Sequence, residues 1–292
     1  MRPLVWLLVV GLGVAPPAGA APSRGILEAG LRRSGEMEVI FLRLSGSVPL
    51  GRGELQYAVS PFYHPWLGGG AVAVETLSLR WDEGPLSVLL GRFPLGFGEA
   101  RLLPYTWQTP LPTGYQEGLS GLALTYYAPE YRIRAGYAAD RGILVELSLR
   151  ELKAYVLSGG LGLSMTASLG EVVVYGDVFA VGGGGQATVG ITGFVGRGLL
   201  TLEARYPPAL AAQGSWPWED RTISVSGSWR EQEVGLTVAL ATDRGTLELG
   251  VVENRVFLGL RLYRPLGDGS GREDSRTGFD RFPEPATMGP AR

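Results

Sequence analysis

The sequence predicts an all-β protein, a closed antiparallel up-and-down transmembrane barrel of about 16 strands, with roughly 14 to 18 as the range. Three observations carry this. Apolar and polar residues alternate with a period of two along most of the chain, which puts successive side chains on opposite faces of a strand. No segment has a helical period. The connections sort into tight turns and a few much longer loops, an asymmetry shown by barrels that cross an outer membrane.

From the N-terminus, Arg2 supplies a positive start, Leu4 to Val14 an apolar run, and Ala18-Gly19-Ala20 a small-x-small cleavage site, so residues 1–20 read as a secretory signal peptide. The competing reading, a membrane anchor helix, needs about 20 apolar residues, and Pro16-Pro17 cuts the run short. The barrel is expected over residues 21–264. Within it Leu55, Tyr57 and Val59 interleave with Glu54 and Gln56, and Tyr131, Ile133, Ala135 and Tyr137 with Arg132 and Arg134. The pattern recurs at Ile143, Val145, Leu147 and Leu149 against Glu146 and Ser148, and at Leu161, Leu163 and Met165 against Ser164 and Thr166. It is cleanest at Ile223, Val225 and Trp229 against Ser224, Ser226 and Ser228.

Between Gly25 and Arg264 about 17 candidate strands follow from this pattern. Bacterial barrels have even strand numbers, so either the segment Gly25 to Arg33 lies outside the wall or one boundary is misplaced. Tight turns are expected at Asp82-Glu83-Gly84, Ala128-Pro129-Glu130, Arg150-Glu151, Gly170-Glu171, Gly196 to Gly198, Glu231-Gln232 and Glu253-Asn254. Long loops are expected at Pro61 to Gly70, Pro94 to Gly118 and Pro207 to Asp220, all at one end. Residues 265–292 are polar, Gly- and Pro-rich, and read as a disordered tail.

Composition narrows the chemistry. Of 292 residues 45 are Gly and none is Cys, which removes disulfide scaffolds, thiolate metal sites and cysteine nucleophiles. With His64 as the one histidine, histidine-based zinc sites lack ligands. A net charge of −2 offers no footprint for nucleic acid. Alternation alone also permits a soluble β-sandwich, but about 16 strands closed into one barrel leave an aqueous lumen. The apolar faces must then point outward into lipid. Trp81, Tyr126, Tyr127, Tyr131 and Trp229 fall near the tight turns, where an interfacial girdle would sit.

One stretch adds a resemblance. Val74 to Trp81, the turn Asp82-Glu83-Gly84 and Pro85 to Arg92 run into Gly91-Arg92-Phe93-Pro94-Leu95-Gly96-Phe97-Gly98-Glu99. This resembles the strand-turn-strand plus Gly-Arg-Gln-x-x-x-Trp-Gly element of porin-like bacterial outer-membrane barrels, with Phe93 where Gln is usual and Phe97 where Trp is usual. Glu117 to Tyr127 is similar to the strand that follows the long loop in those families. Those barrels usually end on an aromatic strand terminus, whereas here Val256 to Tyr263 is followed by the tail.

The resemblance implies passive transport of small hydrophilic solutes rather than catalysis, in an outer membrane whose lipid the wall contacts, and is compatible with a homo-oligomer. It implies a lumen lined by Glu54, Arg132, Arg134, Glu203 and Arg205, and a constriction formed by the loop Pro94 to Gly118, with Glu99, Arg101 and Glu117 beside Arg92 at its base. Any one of these residues also reads as plain solvation of the lumen, and Arg92 shares the parity of Leu86, Val88 and Leu90, which face lipid. Two other classes stay open: a structural or adhesive barrel without transport, and a secreted β-sandwich binding module.

Catalysis and cofactors have little support in the residues. Ser60 with His64 is the one nucleophile–base pair to consider, yet His64 lies in Pro61-Phe62-Tyr63-His64-Pro65-Trp66, where aromatic packing accounts for it equally. The runs Gly68 to Gly70 and Gly182 to Gly185 lack the Lys-Ser/Thr of a phosphate loop. A calcium loop from Asp268 fails at Arg272 and Glu273. No cofactor is expected.

Overall fold

A computed structural model describes residues 24–34, 37–65, 67–106, 111, 115–230, 233–252 and 255–266. The expected signal peptide and tail lie outside these, apart from the last strand's first two tail positions. The strands are β1 (Arg24–Ser34), β2 (Met37–Leu50), β3 (Gly53–His64), β4 (Gly69–Glu83), β5 (Leu86–Phe93), β6 (Gly96–Phe97), β7 (Tyr105–Thr106), β8 (Leu119–Tyr127), β9 (Tyr131–Ala138) and β10 (Gly142–Leu149). They continue as β11 (Leu152–Leu157), β12 (Gly160–Leu169), β13 (Val172–Val181), β14 (Gly184–Val195), β15 (Gly198–Tyr206), β16 (Ala209–Trp218), β17 (Arg221–Arg230), β18 (Glu233–Ala241), β19 (Gly245–Val252) and β20 (Arg255–Leu266).

All but β6 and β7 belong to one 18-stranded sheet in which each strand pairs antiparallel with its neighbours. β1 pairs with β2 on one side and β20 on the other, Glu28 facing Arg43 and Tyr263, so the sheet closes on itself. Closure removes every free strand edge. A two-sheet sandwich is excluded by this topology.

The strand number is even because both suspected errors resolve in one direction. The segment Gly25 to Arg33 is in the wall as β1. The segment Pro207 to Asp220, expected as a long loop, is instead the strand β16 between two tight turns, paired with β17 along its length and with β15 from Ala209 to Ser215. Its alternation is faint because the inward positions Ala209 and Ala211 and the outward positions Ala212 and Gly214 are all small. Restoring β16 moves the turns after Arg230 and Val252, and Trp229 with them, to the end that carries the long loop. The loop at Pro61 to Gly70 also shrinks, since β3 continues to His64 and β4 restarts at Gly69. The asymmetry of loop length therefore rests on one connection, residues 94–118.

Side-chain direction follows the expected parity. Val145, Leu163 and Val225 expose 37%, 48% and 37% of their surface, while their neighbours Glu146 and Ser164 expose 1% each. The apolar parity thus faces outward all round the barrel. Trp81, Tyr126, Tyr131, Trp216 and Trp218 form an aromatic band near the tight-turn end, and Tyr137, Tyr206 and Trp229 stand near the other. This is the wall a hydrocarbon layer requires, with the strands' backbone paired to neighbours round a closed sheet. Among the described residues no helix is long and apolar enough to cross a membrane, so the crossing elements are strands.

One irregularity shapes the interior. The β3–β4 register shifts between Ala58 and Val59. This bulge lets Glu75 and Ser78, three residues apart, both point inward and be buried.

Candidate functional site

The inner face carries two different surfaces. On β9 to β15 and on β1 to β4 it is charged and covered. Arg132 and Arg134 converge on the buried Glu146, Arg132 at 2.5 Å, and Ser148 donates to the same carboxylate at 2.8 Å. Across the lumen Arg43 Nε donates to Glu75 at 2.7 Å, Ser60 Oγ donates to Glu75, and Glu28 lies 3.9 Å from both Arg43 and Arg261. Each carboxylate is compensated by cations or hydroxyls, as burial of charge demands.

The loop between β5 and β8 enters the barrel, and its described residues reach two opposite walls. Its first arm is held on the inner wall by two carboxylates that accept backbone N–H groups. Asp177 on β13 accepts from Glu99 at 2.8 Å and Ala100 at 2.7 Å. Glu203 on β15 accepts from Arg101 at 2.5 Å, Leu102 at 2.9 Å and Leu103 at 2.6 Å, and also from the Tyr175 hydroxyl at 2.6 Å. Charge-assisted bonds of this kind are about twice as strong as neutral ones. Gly98 makes the approach possible: its φ is 79°, and a Cβ there would lie 2.5 Å from an Asp177 oxygen.

An apolar cluster fastens the same arm. Phe93, Leu95 and Phe97 pack with Ala123, Leu144, Tyr155, Leu157 and Phe179 on the wall, and Tyr105 stacks on Phe179 with ring centroids 4.5 Å apart. Phe93 and Phe97, the two departures from the porin-like element, are the residues that anchor the loop. The returning arm brings Tyr115 to the opposite wall. There its hydroxyl donates to Glu28 at 2.5 Å, and its ring lies 4.2 Å from the Arg43 guanidinium and 5.2 Å from that of Arg261. Burial, reinforced by the negative Glu28, pushes the Tyr115 hydroxyl above the ordinary tyrosine range.

The expected site residues divide accordingly. Glu54 faces inward near the tight-turn end and accepts from Gln56 at 3.1 Å. Arg132 and Arg134 meet at Glu146; Glu99 pairs with Lys153; Arg101 places its guanidinium over the Tyr175 ring at 5.4 Å; Arg205 is on the inward parity of β15, as Glu203 is. Arg92 and Glu117 depart from the expectation of a lumen lining. Arg92 lies opposite Leu77 and Ser120 on the outward parity, donates to the Gly118 carbonyl at 3.1 Å and pairs with Glu117 at 2.9 Å. The two charges clamp the base of the loop from the outer side of the wall, because β5 keeps its register up to that point. Ser60 and His64 do not form a dyad: Ser60 donates to Glu75, and His64 packs edge-on against Phe62 at 5.5 Å.

Strand parity marks Arg261 as lumen-facing, but Asp177, Tyr115, Glu28, Glu75 and Arg43 are not singled out by the sequence. A carboxylate in an otherwise apolar run, Asp177 within Val172 to Val181, was the one local signal available. The others come together only when β1 meets β20.

No protein-family model matches the chain, and no curated protein does. Solved structures of Rh. blastica porin mutants are similar to it. One covers 83% of this chain and 99% of its own with a TM-score of 0.46 and 11% identity. A second covers the same shares with a TM-score of 0.48 and 10% identity. A triple mutant of Rhodopseudomonas blastica porin covers 83% and 99% with a TM-score of 0.46 and 11% identity.

Proposed function

We propose that the chain is an outer-membrane channel through which small hydrophilic solutes diffuse passively, and that it performs no catalysis. The observation that carries this reading is the opposition of the two faces of one closed wall, apolar outward and polar inward, with a loop fixed across the inside. An 18-stranded wall is wide enough to enclose an aqueous interior, and a loop fixed on its inner face narrows that passage. The N-terminal segment 1–20 supports export, and the outer face supports lipid contact. Purified barrel in a planar bilayer should give stepwise conductance. Absence of any step at high protein load would leave the second reading, a structural or adhesive barrel, which the apolar cluster inside the lumen favours.

A further inference from the structure

The wall beside the loop's first arm, next round the barrel from β15, differs from the rest of the interior. Between its two mouths the inner face of β16, β17 and β18 carries no charged residue among those described. It presents Gln213, Ser215, Ser224, Ser226, Thr237 and Ala239, all partly exposed. Ser215 and Ser224 are hydrogen-bonded across strands at 2.9 Å. The inward residues of β10 to β15 are by contrast covered: Glu146, Tyr155, Tyr175, Asp177, Thr192 and Glu203 are all buried. The loop sits over those strands, so water and solute are left the hydroxyl-bearing side.

From this juxtaposition we propose that the conducting path runs along β16 to β18 and is built for uncharged polyhydroxylated solutes, of the size and chemistry of a monosaccharide. The proposal rests on the channel reading above. Hydroxyls and a carboxamide both donate and accept, so they can replace the water that a sugar hydroxyl loses in a narrow passage. Ion selection needs rings of one sign facing the path, and here the covered charges are engaged instead, Glu146 with Arg132 and Arg134, Glu99 with Lys153, Glu75 with Arg43, and Asp177 and Glu203 with the loop's backbone. Between the mouths, where Arg230 and Glu233 stand, a charged analogue meets no counter-charge on the strip itself, and the nearest carboxylate, Glu248 across from Ala239, is engaged with Arg261 at 3.8 Å, so little offsets the lost hydration.

The absence of cysteine makes the test clean. In liposome swelling, glucose should enter faster than gluconate and faster than glucosamine, by about threefold or more, and the native channel should show a cation-to-anion permeability ratio within about twofold of unity. Ser226→Cys, made in the cysteine-free chain and modified after folding with a positive or a negative methanethiosulfonate, should move that ratio in opposite directions by about threefold. Thr237→Cys is the second site, should the first fail to fold. Equal or faster entry of either charged sugar, strong native ion selectivity, or labelled channels with an unmoved ratio would overturn the proposal. Absence of both conductance and swelling would instead refute the channel reading on which it rests.

Discussion

The two carboxylates that hold the loop make the most demanding test. Removing Glu203 with Glu203→Ala deprives the N–H groups of Arg101, Leu102 and Leu103 of their acceptor. A hydrogen bond to a charged group contributes about 1.5 to 3 kcal/mol net, so three amount to about 4.5 to 9 kcal/mol if they add. A released loop regains water, and the lower figure applies. About 4.5 kcal/mol shifts the held-to-released equilibrium by roughly a thousandfold. Asp177→Ala in addition removes the bonds from Glu99 and Ala100. The double variant should show larger and noisier single-channel conductance, and trypsin should cut the folded barrel after Arg101, where the intact protein should resist. Glu203→Gln, which keeps one acceptor oxygen, should fall between. A double variant with unchanged conductance, unchanged noise and unchanged resistance to trypsin would refute the view that these carboxylates fix the loop.

Other perturbations follow from the same geometry. Gly98→Val places a side chain against Asp177 at a positive φ, so it should reproduce the noisy conductance of Asp177→Ala while leaving the heat-modifiable gel shift of the barrel intact. Tyr115 bears on pH: its hydroxyl is raised in the folded state, so the stability it contributes is complete below about pH 10, the unfolded tyrosine value, and is lost as pH rises toward the folded value. Tyr115→Phe should therefore flatten the alkaline loss of urea resistance above that pH, and one fewer tyrosine should stay un-ionised in an ultraviolet titration. Leu163→Arg puts a charge on the lipid face at a cost of about 2 to 4 kcal/mol near the bilayer centre, whereas Ser226→Arg on the inner face should leave urea resistance in vesicles near that of the parent. Equal losses for the two would contradict the assigned faces.

Strand parity was legible residue by residue. That Val145, Leu163 and Val225 share a face opposite Glu146 and Ser164 follows from period two alone, and that this face is the outer one follows from the strand number, because a barrel so wide leaves an aqueous lumen. The inward course of the loop was what the porin-like resemblance around Arg92 implied. What alternation could not supply was β16, whose small residues on both faces give no contrast, and the outward clamp of Arg92 with Glu117, which depends on the strand keeping its register to its last residue. The candidate lumen residues Glu99 and Arg101 were identified as part of the loop, but their partners Lys153 and Thr192 lie far along the chain.

The sequence by itself determined the class of the molecule: strands rather than helices, two opposite faces, and one loop too long to be a turn. These are local properties, carried by side chains within a few positions of each other. The tertiary structure alone decided the strand number, the closure of β1 on β20, and the partition of the lumen into a covered charged side and an open hydroxyl side. Those depend on which residues meet across the barrel, as Asp177 meets Gly98 and Tyr115 meets Glu28, and no short-range pattern encodes a contact between strands that first come together when the sheet closes.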